Sequence, residues 1–141
     1  AFLSGEERAP NPFRSPLVAG VTRPFMGPLY GNSVSVDLGL ADGDVLPFGE
    51  EVRIVHTPGH TPGSICLFMP SRGLLIVGDS LEYRSRKLWP PAAGVTQDPQ
   101  QAMDSLKRLP ALEFDSMCFS HYRPLHRGAQ AALRELLHDW S

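Results

Sequence analysis

The sequence predicts an α/β fold: a mainly antiparallel or mixed β-sheet in a single domain, with helices packed on one face. Three observations predict it. Short apolar runs divided by turn residues fill the middle of the chain, helical periodicity is confined to the last third, and no repeat or linker interrupts the whole.

The chain has 141 residues, long enough to bury a substantial core. It is 42% apolar and 20% charged, ordinary values for a globular domain. A formal net charge of -2, without a basic cluster, argues against nucleic acid or an anionic membrane surface as a partner. No apolar run approaches the roughly 18 to 20 residues that span a bilayer, and no secretory signal pattern is visible. Cys66 and Cys118 both lie in apolar runs, with no CxxC pattern. They read as buried free thiols in a reducing cytoplasm rather than as a disulfide framework.

In chain order, residues 1–9 read as the end of a helix. From Pro10 to Gly31, five prolines break any periodicity. Proline fixes φ and removes a donor, so this stretch reads as a loop, with Phe13, Phe25, Met26 and Tyr30 interleaved, that either covers a pocket or packs on the surface. Val34, Val36 and Leu38 alternate with polar residues as a strand does, and Asp42-Gly43-Asp44 is a turn. Val45 to Phe48, the β-branched Val52 to Val55, Ile65 to Phe68 and Leu74 to Val77 then read as strands. The last two lack alternation, which predicts cover on both faces. Asp98-Pro99 is an N-cap followed by proline at the first helical position, with Ala102, Met103, Leu106 and Leu109 at helical spacing and Pro110 as the stop. Phe114 to Phe119 reads as a further strand. Ala129, Ala132, Leu133, Leu136, Leu137 and Trp140 form the apolar stripe of a C-terminal amphipathic helix.

Titratable groups stand at the ends of three of these strands. Thr57-Pro58-Gly59-His60-Thr61-Pro62-Gly63-Ser64 holds a histidine between two Pro-Gly pairs, on a stiff loop between two strands. Asp79 follows the apolar run Leu74 to Val77 and Gly78, and a carboxylate at such a strand end calls for a cation or several donors. His121 closes Met117-Cys118-Phe119-Ser120-His121. Taken singly, each of these groups is more readily structural. Together, one carboxylate and two imidazoles at strand ends form a donor set suited to zinc, manganese or iron. His56 stands four before His60, but Pro58-Gly59 excludes the helix that would pair them. His126 and His138 are given no function, and Tyr122 and Arg123 are candidate pocket residues by adjacency to His121.

These three segments, in this order and strand context, resemble the later three motifs of the metallo-β-lactamase superfamily, and the likeness runs from about Val34 to the end. The resemblance implies an αββα sandwich, of which this chain supplies the later sheet and helices, and a glyoxalase II-like or lactonase-like metal-dependent hydrolase. It also implies that His60 binds the first metal, that Asp79 bridges two metals as the catalytic carboxylate, and that His121 binds the second. The cofactor would be one or two zinc ions, or manganese or iron, and a shared hydroxide would attack a thioester, lactone or related ester. Thr61 and Ser64 are expected to orient the ligand loop.

The family's earlier HxHxDH motif has no counterpart, since no two histidines here stand two apart. In the family that motif precedes a helix resembling residues 1–9. The chain is therefore expected to be a partial domain: residues 10–31 the Pro-rich loop region, and residues 34–141 the motif-bearing sheet and helices. Three situations account for this: a fragment of a longer enzyme, a half whose complement is a separate chain, or a non-catalytic half-domain that self-associates. Each requires cover for a bare apolar sheet face, by a second copy or by a chain carrying the missing half.

Overall fold

The computed structural model describes residues 37–140. The expected elements within residues 1–36, including the Pro-rich loop with Phe25 and the start of the Val34-Val36 strand, lie outside them. Leu38 is described and belongs to no strand.

Strands β1 (Val45–Pro47), β2 (Glu51–His56), β3 (Ile65–Met69), β4 (Leu74–Ile76) and β7 (Ser116–Cys118) form one mixed sheet in the order β1-β2-β3-β4-β7. The first four pair antiparallel, with short turns on either side of the longer 57–64 loop that joins β2 to β3, and β7 lies parallel to β4. A parallel neighbour requires a long crossover. Here it contains the hairpin β5 (Glu82–Arg84) and β6 (Lys87–Trp89), then helix α1 (Pro99–Leu106). The chain ends in helix α2 (Ala129–Asp139). No described helix is long and apolar enough to cross a membrane.

Strand register decides which side chains meet. Val55 faces Cys66, Phe68 faces Leu75 and Leu75 faces Met117, so these five share one sheet face. They pack with Leu88, Leu106, Leu109, Phe114, Ala129, Leu133 and Leu136 into one buried core. The opposite face carries Leu46, Val52, Ile54, Ile65, Leu67, Met69, Leu74, Ile76 and Cys118. Val52 and Ile54 are buried there, while the other seven are only half-buried. Both faces are thus apolar, as the uninterrupted runs predict, but they are not equally covered. Cys66 is fully buried and Cys118 is not; both are free thiols.

The helices follow their capping signals. Asp98 accepts a hydrogen bond from the Gln101 amide, and Pro99 occupies the first position of α1. The α-helical turns stop at Leu106 rather than at Pro110, and Leu109–Ala111 continues as a 3-10 turn. Proline lacks the N–H that would bond the Leu106 carbonyl and disfavours α geometry in the residue before it, so the helix unwinds ahead of Pro110. Helix α2 begins where the Asp115 carboxylate and carbonyl accept the Gly128 and Ala129 amides. Its stripe buries Ala129, Leu133 and Leu136, but Trp140 projects into solvent.

The β5–β6 hairpin was not expected from sequence. Its two-residue turn has φ 53° at Ser85 and 63° at Arg86, the mirror-image conformation that suits twisted strands. That turn is normally marked by Asn-Gly or Asp-Gly, which are absent here, so the segment carries no turn signature.

Met117 is wholly buried at the centre of the core. Met117→Ala is expected to destabilise the chain by about 2–5 kcal/mol, read from chemical denaturation midpoints at unchanged slope.

Candidate metal centre

Strand β2 runs antiparallel to β3, and β3 antiparallel to β4, so β2, β4 and β7 all point the same way. The three motif segments, 57–64, 77–80 and 119–121, therefore leave the sheet at one edge. In the parallel pair Ile76 lies opposite Cys118, and Asp79 and His121 each stand three residues further on. The exits stay joined: the Val77 amide donates to the Cys118 carbonyl at 2.9 Å, and the Ser120 amide to the Gly78 carbonyl at 3.2 Å. Gly78 takes φ 55°, a conformation that favours glycine, and turns Asp79 out of the strand. His121 Nε2 then lies 3.2 Å from Asp79 Oδ1. The side chains are 75% and 45% exposed, so the pair adds little to stability and stays open to a ligand.

His60 is held by a different set of contacts. The Thr57 amide donates to the Ser64 carbonyl, closing the loop at its base. The segment leading into α1 and α1 itself grip the loop's middle: the Asp98 amide donates to the Gly59 carbonyl at 2.9 Å, the Gln97 amide to the His60 carbonyl at 3.2 Å, and Ser105 Oγ, in the last turn of α1, to the Pro58 carbonyl at 2.7 Å. Gly59 has φ 137°, and a Cβ there would collide with the backbone of Ala102 in α1. The half-buried His60 ring places Nδ1 3.3 Å from Thr96 Oγ1. Thr61 and Ser64, expected to orient the loop, bond each other at 2.9 Å within it.

A buried hydroxyl pair joins the two loops beneath the sheet edge. Thr57 Oγ1 and Ser80 Oγ are 3.0 Å apart, with Cys66 Sγ 3.5 Å from the threonine. Burial pushes the Cys66 thiol up, against the opposing effect of the two hydroxyls, so it remains a neutral core residue.

The structure thus brings Asp79 and His121 together and sets His60 on the adjoining loop at the same edge. Among the described residues no group of three or more His, Cys, Asp or Glu side chains is assembled to hold a metal ion. His56 is engaged elsewhere: its Nε2–H donates to the Pro62 carbonyl at 2.8 Å, and its amide donates to Asp42. That amide, then the Arg108 guanidinium, hold the Asp42 carboxyl below its usual range and brace the Asp42-Gly43-Asp44 turn against β2. The His126 carbonyl accepts from Ser116, and His138 lies near Asp139 at the end of α2.

Sequence reasoning missed Thr96, Ser80 and the β5–β6 hairpin. Beside His121, burial and then the Glu82 carboxylate push the Tyr122 phenol up. Glu82 also pairs with Arg84, whose guanidinium lies 4.8 Å from the Trp89 ring centroid, while Tyr83 stacks on Phe119. The hairpin thereby sets an aromatic and charged wall next to the Asp79–His121 pair. Arg123 is exposed.

A family model described as the metallo-beta-lactamase superfamily matches residues 4–121. The hydroxyacylglutathione hydrolase of Maricaulis maris is 30% identical over 103 residues, covering 70% of this chain and 37% of that protein. A metallo-beta-lactamase family protein from Thermus thermophilus superposes with a TM-score of 0.59 at 26% identity, over 75% of this chain and 36% of that one. A third protein, solved in a di-iron-bound form, superposes with a TM-score of 0.55 at 25% identity, over 82% and 59%. The chain spans from about a quarter to a half of the length of the curated relatives it matches.

Gly59→Ala must both strain the backbone and displace the start of α1. A loss of about 2–5 kcal/mol is expected, measured by thermal or urea unfolding, together with loosening of the 57–64 loop in amide exchange.

Proposed function

The chain belongs to the metallo-beta-lactamase superfamily, and on that premise we propose that it carries the later part of the active site of a metal-dependent hydrolase. The substrate would be a thioester, lactone or related ester. The observation that carries this reading is the meeting of Asp79 and His121 at equal offsets from a paired strand position, 3.2 Å apart and open to solvent. Support for the substrate class comes from the relative named hydroxyacylglutathione hydrolase. Support for a metal comes from the neighbour solved with two irons and from the donors themselves, a carboxylate oxygen and imidazole nitrogens.

The donor types suit such a group, although among the described residues no three of these side chains are gathered around one point. His60, Asp79 and His121 would hold it; zinc is the first expectation, and manganese or iron suits the same donors. When bound, a divalent metal supplies Lewis acidity and lowers the pKa of a coordinated water to near neutrality. The chain's own contribution is to hold the donors still. The amide-to-carbonyl bonds between the β4 and β7 exits keep Asp79 beside His121, and the Thr57–Ser80 hydroxyl pair ties the His60 loop to the Asp79 turn. Tyr122, beside Glu82, and the Arg84–Trp89 pair of the hairpin stand on the segments that follow His121 and Asp79 in the chain.

Three donors hold one metal with an open position but do not complete a dinuclear site. The remaining donors would come from the half that bears the HxHxDH motif, either in a longer polypeptide or in a separate chain. A single partial domain over residues 1–141, with 34–141 as its motif-bearing part, the cytoplasmic setting, and a small-molecule partner with neither nucleic acid nor membrane belong to the same proposal.

The half-buried sheet face favours a second reading, in which the chain is a non-catalytic half-domain that self-associates. Leu46, Ile65, Leu67, Met69, Leu74 and Ile76 line one surface there and are each only half-buried, so a second copy could cover them further.

Two measurements separate the readings. Under the first, the 141-residue chain takes up about one zinc or iron per copy by elemental analysis, and Asp79→Ala or His121→Ala lowers that occupancy severalfold without unfolding. Thioester hydrolysis should then appear once the complementary half is added. An assembly by light scattering with no metal, and no hydrolysis on complementation, would establish the second reading and end the first.

A further inference from the structure

Thr96 is fully buried, and its one hydroxyl faces two partners. Oγ1 lies 2.8 Å from the Ala92 carbonyl oxygen and 3.3 Å from His60 Nδ1. A carbonyl oxygen has no proton to offer, so the single hydroxyl proton of Thr96 must lie on the line to Ala92. Toward His60 the threonine then presents only a lone pair, and the proton on that contact must come from the ring. We propose that Thr96 is the positioning residue of His60: it selects the Nδ1–H tautomer and leaves Nε2 as the bare donor atom.

The opposite tautomer would place two lone pairs face to face. Thr96 could relieve that only by turning its proton away from Ala92. The surrounding segment resists this, because the Val95 amide also donates to Ala92 and the Thr96 amide to Ala93, fixing the turn that delivers the hydroxyl. The next two residues grip the same loop through their amides, Gln97 on the His60 carbonyl and Asp98 on that of Gly59. One stretch, 92–98, therefore orients both the backbone of His60 and its ring. Thr61 and Ser64 bond each other and leave this role to Thr96.

A histidine that binds a metal through one nitrogen commonly donates its other N–H to an oxygen acceptor, and removing such an acceptor costs about 10–100-fold in metal affinity. The proposal rests on the reading of His60 as a ligand only for that consequence; the tautomer itself is a property of the metal-free chain. The test is a long-range proton–nitrogen NMR spectrum of the metal-free 141-residue chain, at a pH where His60 is neutral. The expected result is a protonated Nδ1 and an unprotonated Nε2 in the wild type and in Thr96→Ser, with the population moving toward Nε2–H in Thr96→Val. Zinc competition against a chromophoric chelator should then show Thr96→Val weakened about 10–100-fold and Thr96→Ser near wild type. A wild-type His60 protonated on Nε2 overturns the proposal, even if the valine variant fails to fold. So does a Thr96→Val spectrum identical to wild type. A tautomer shift without any change in zinc affinity upholds the role of Thr96 and removes His60 from the ligand set.

Discussion

The parallel pairing of β4 with β7 is the constraint on which the site depends. These two strands are separated by about forty residues of crossover, yet their register aligns Ile76 with Cys118, and every residue beyond that pair inherits the alignment. Strand geometry leaves little slack, because a slip of one residue would turn Met117 and Leu75 out of the core. Core packing therefore enforces the register, and the register places a carboxylate beside an imidazole. The exposed Asp79–His121 contact contributes little to folding; it is a consequence of hydrophobic packing a few residues away.

His60 reaches the same edge by another route. Its loop is too rich in proline and glycine to take part in the sheet, so its path is set by what packs on it. That packing comes from the 92–98 segment and from α1, through three carbonyls and the missing side chain of Gly59. A glycine at φ 137° that also lacks room for a Cβ answers two demands at once, one conformational and one steric. Beneath both loops, the Thr57–Ser80 pair satisfies two buried hydroxyls with each other, which makes separating the loops costly in a dry environment.

The sheet has two apolar faces of unequal fate. One is closed by α1, α2 and the β5–β6 hairpin, and the other remains half-buried apart from Val52 and Ile54. Burial of the second face is worth roughly 25 cal/mol for each square ångström covered, so covering it further favours association. That drive is shared by every reading in which the chain works with a complement. The apolar runs at β3 and β4 announce it, since a sheet with one wet face would alternate polar and apolar residues.

Most of the fold was legible in the sequence. The five sheet strands, the Asp98-Pro99 cap of α1 and the stripe of α2 rest on local chemistry: β-branched runs, a side-chain acceptor before proline, apolar residues at helical spacing. The candidates His60, Asp79 and His121 were legible for the same reason, as polar groups placed abruptly at the ends of apolar strands. What the sequence could not reveal is decided by contacts between distant segments. The Ser85-Arg86 hairpin turn has no residue signature, and the early unwinding of α1 depends on Pro110 four positions beyond its last residue. Thr96 carries no mark of a partner thirty-six residues away. Propensity and periodicity are properties of neighbours along the chain, whereas a hydroxyl's choice of acceptor, and the tautomer it imposes, exist only once the segments have packed.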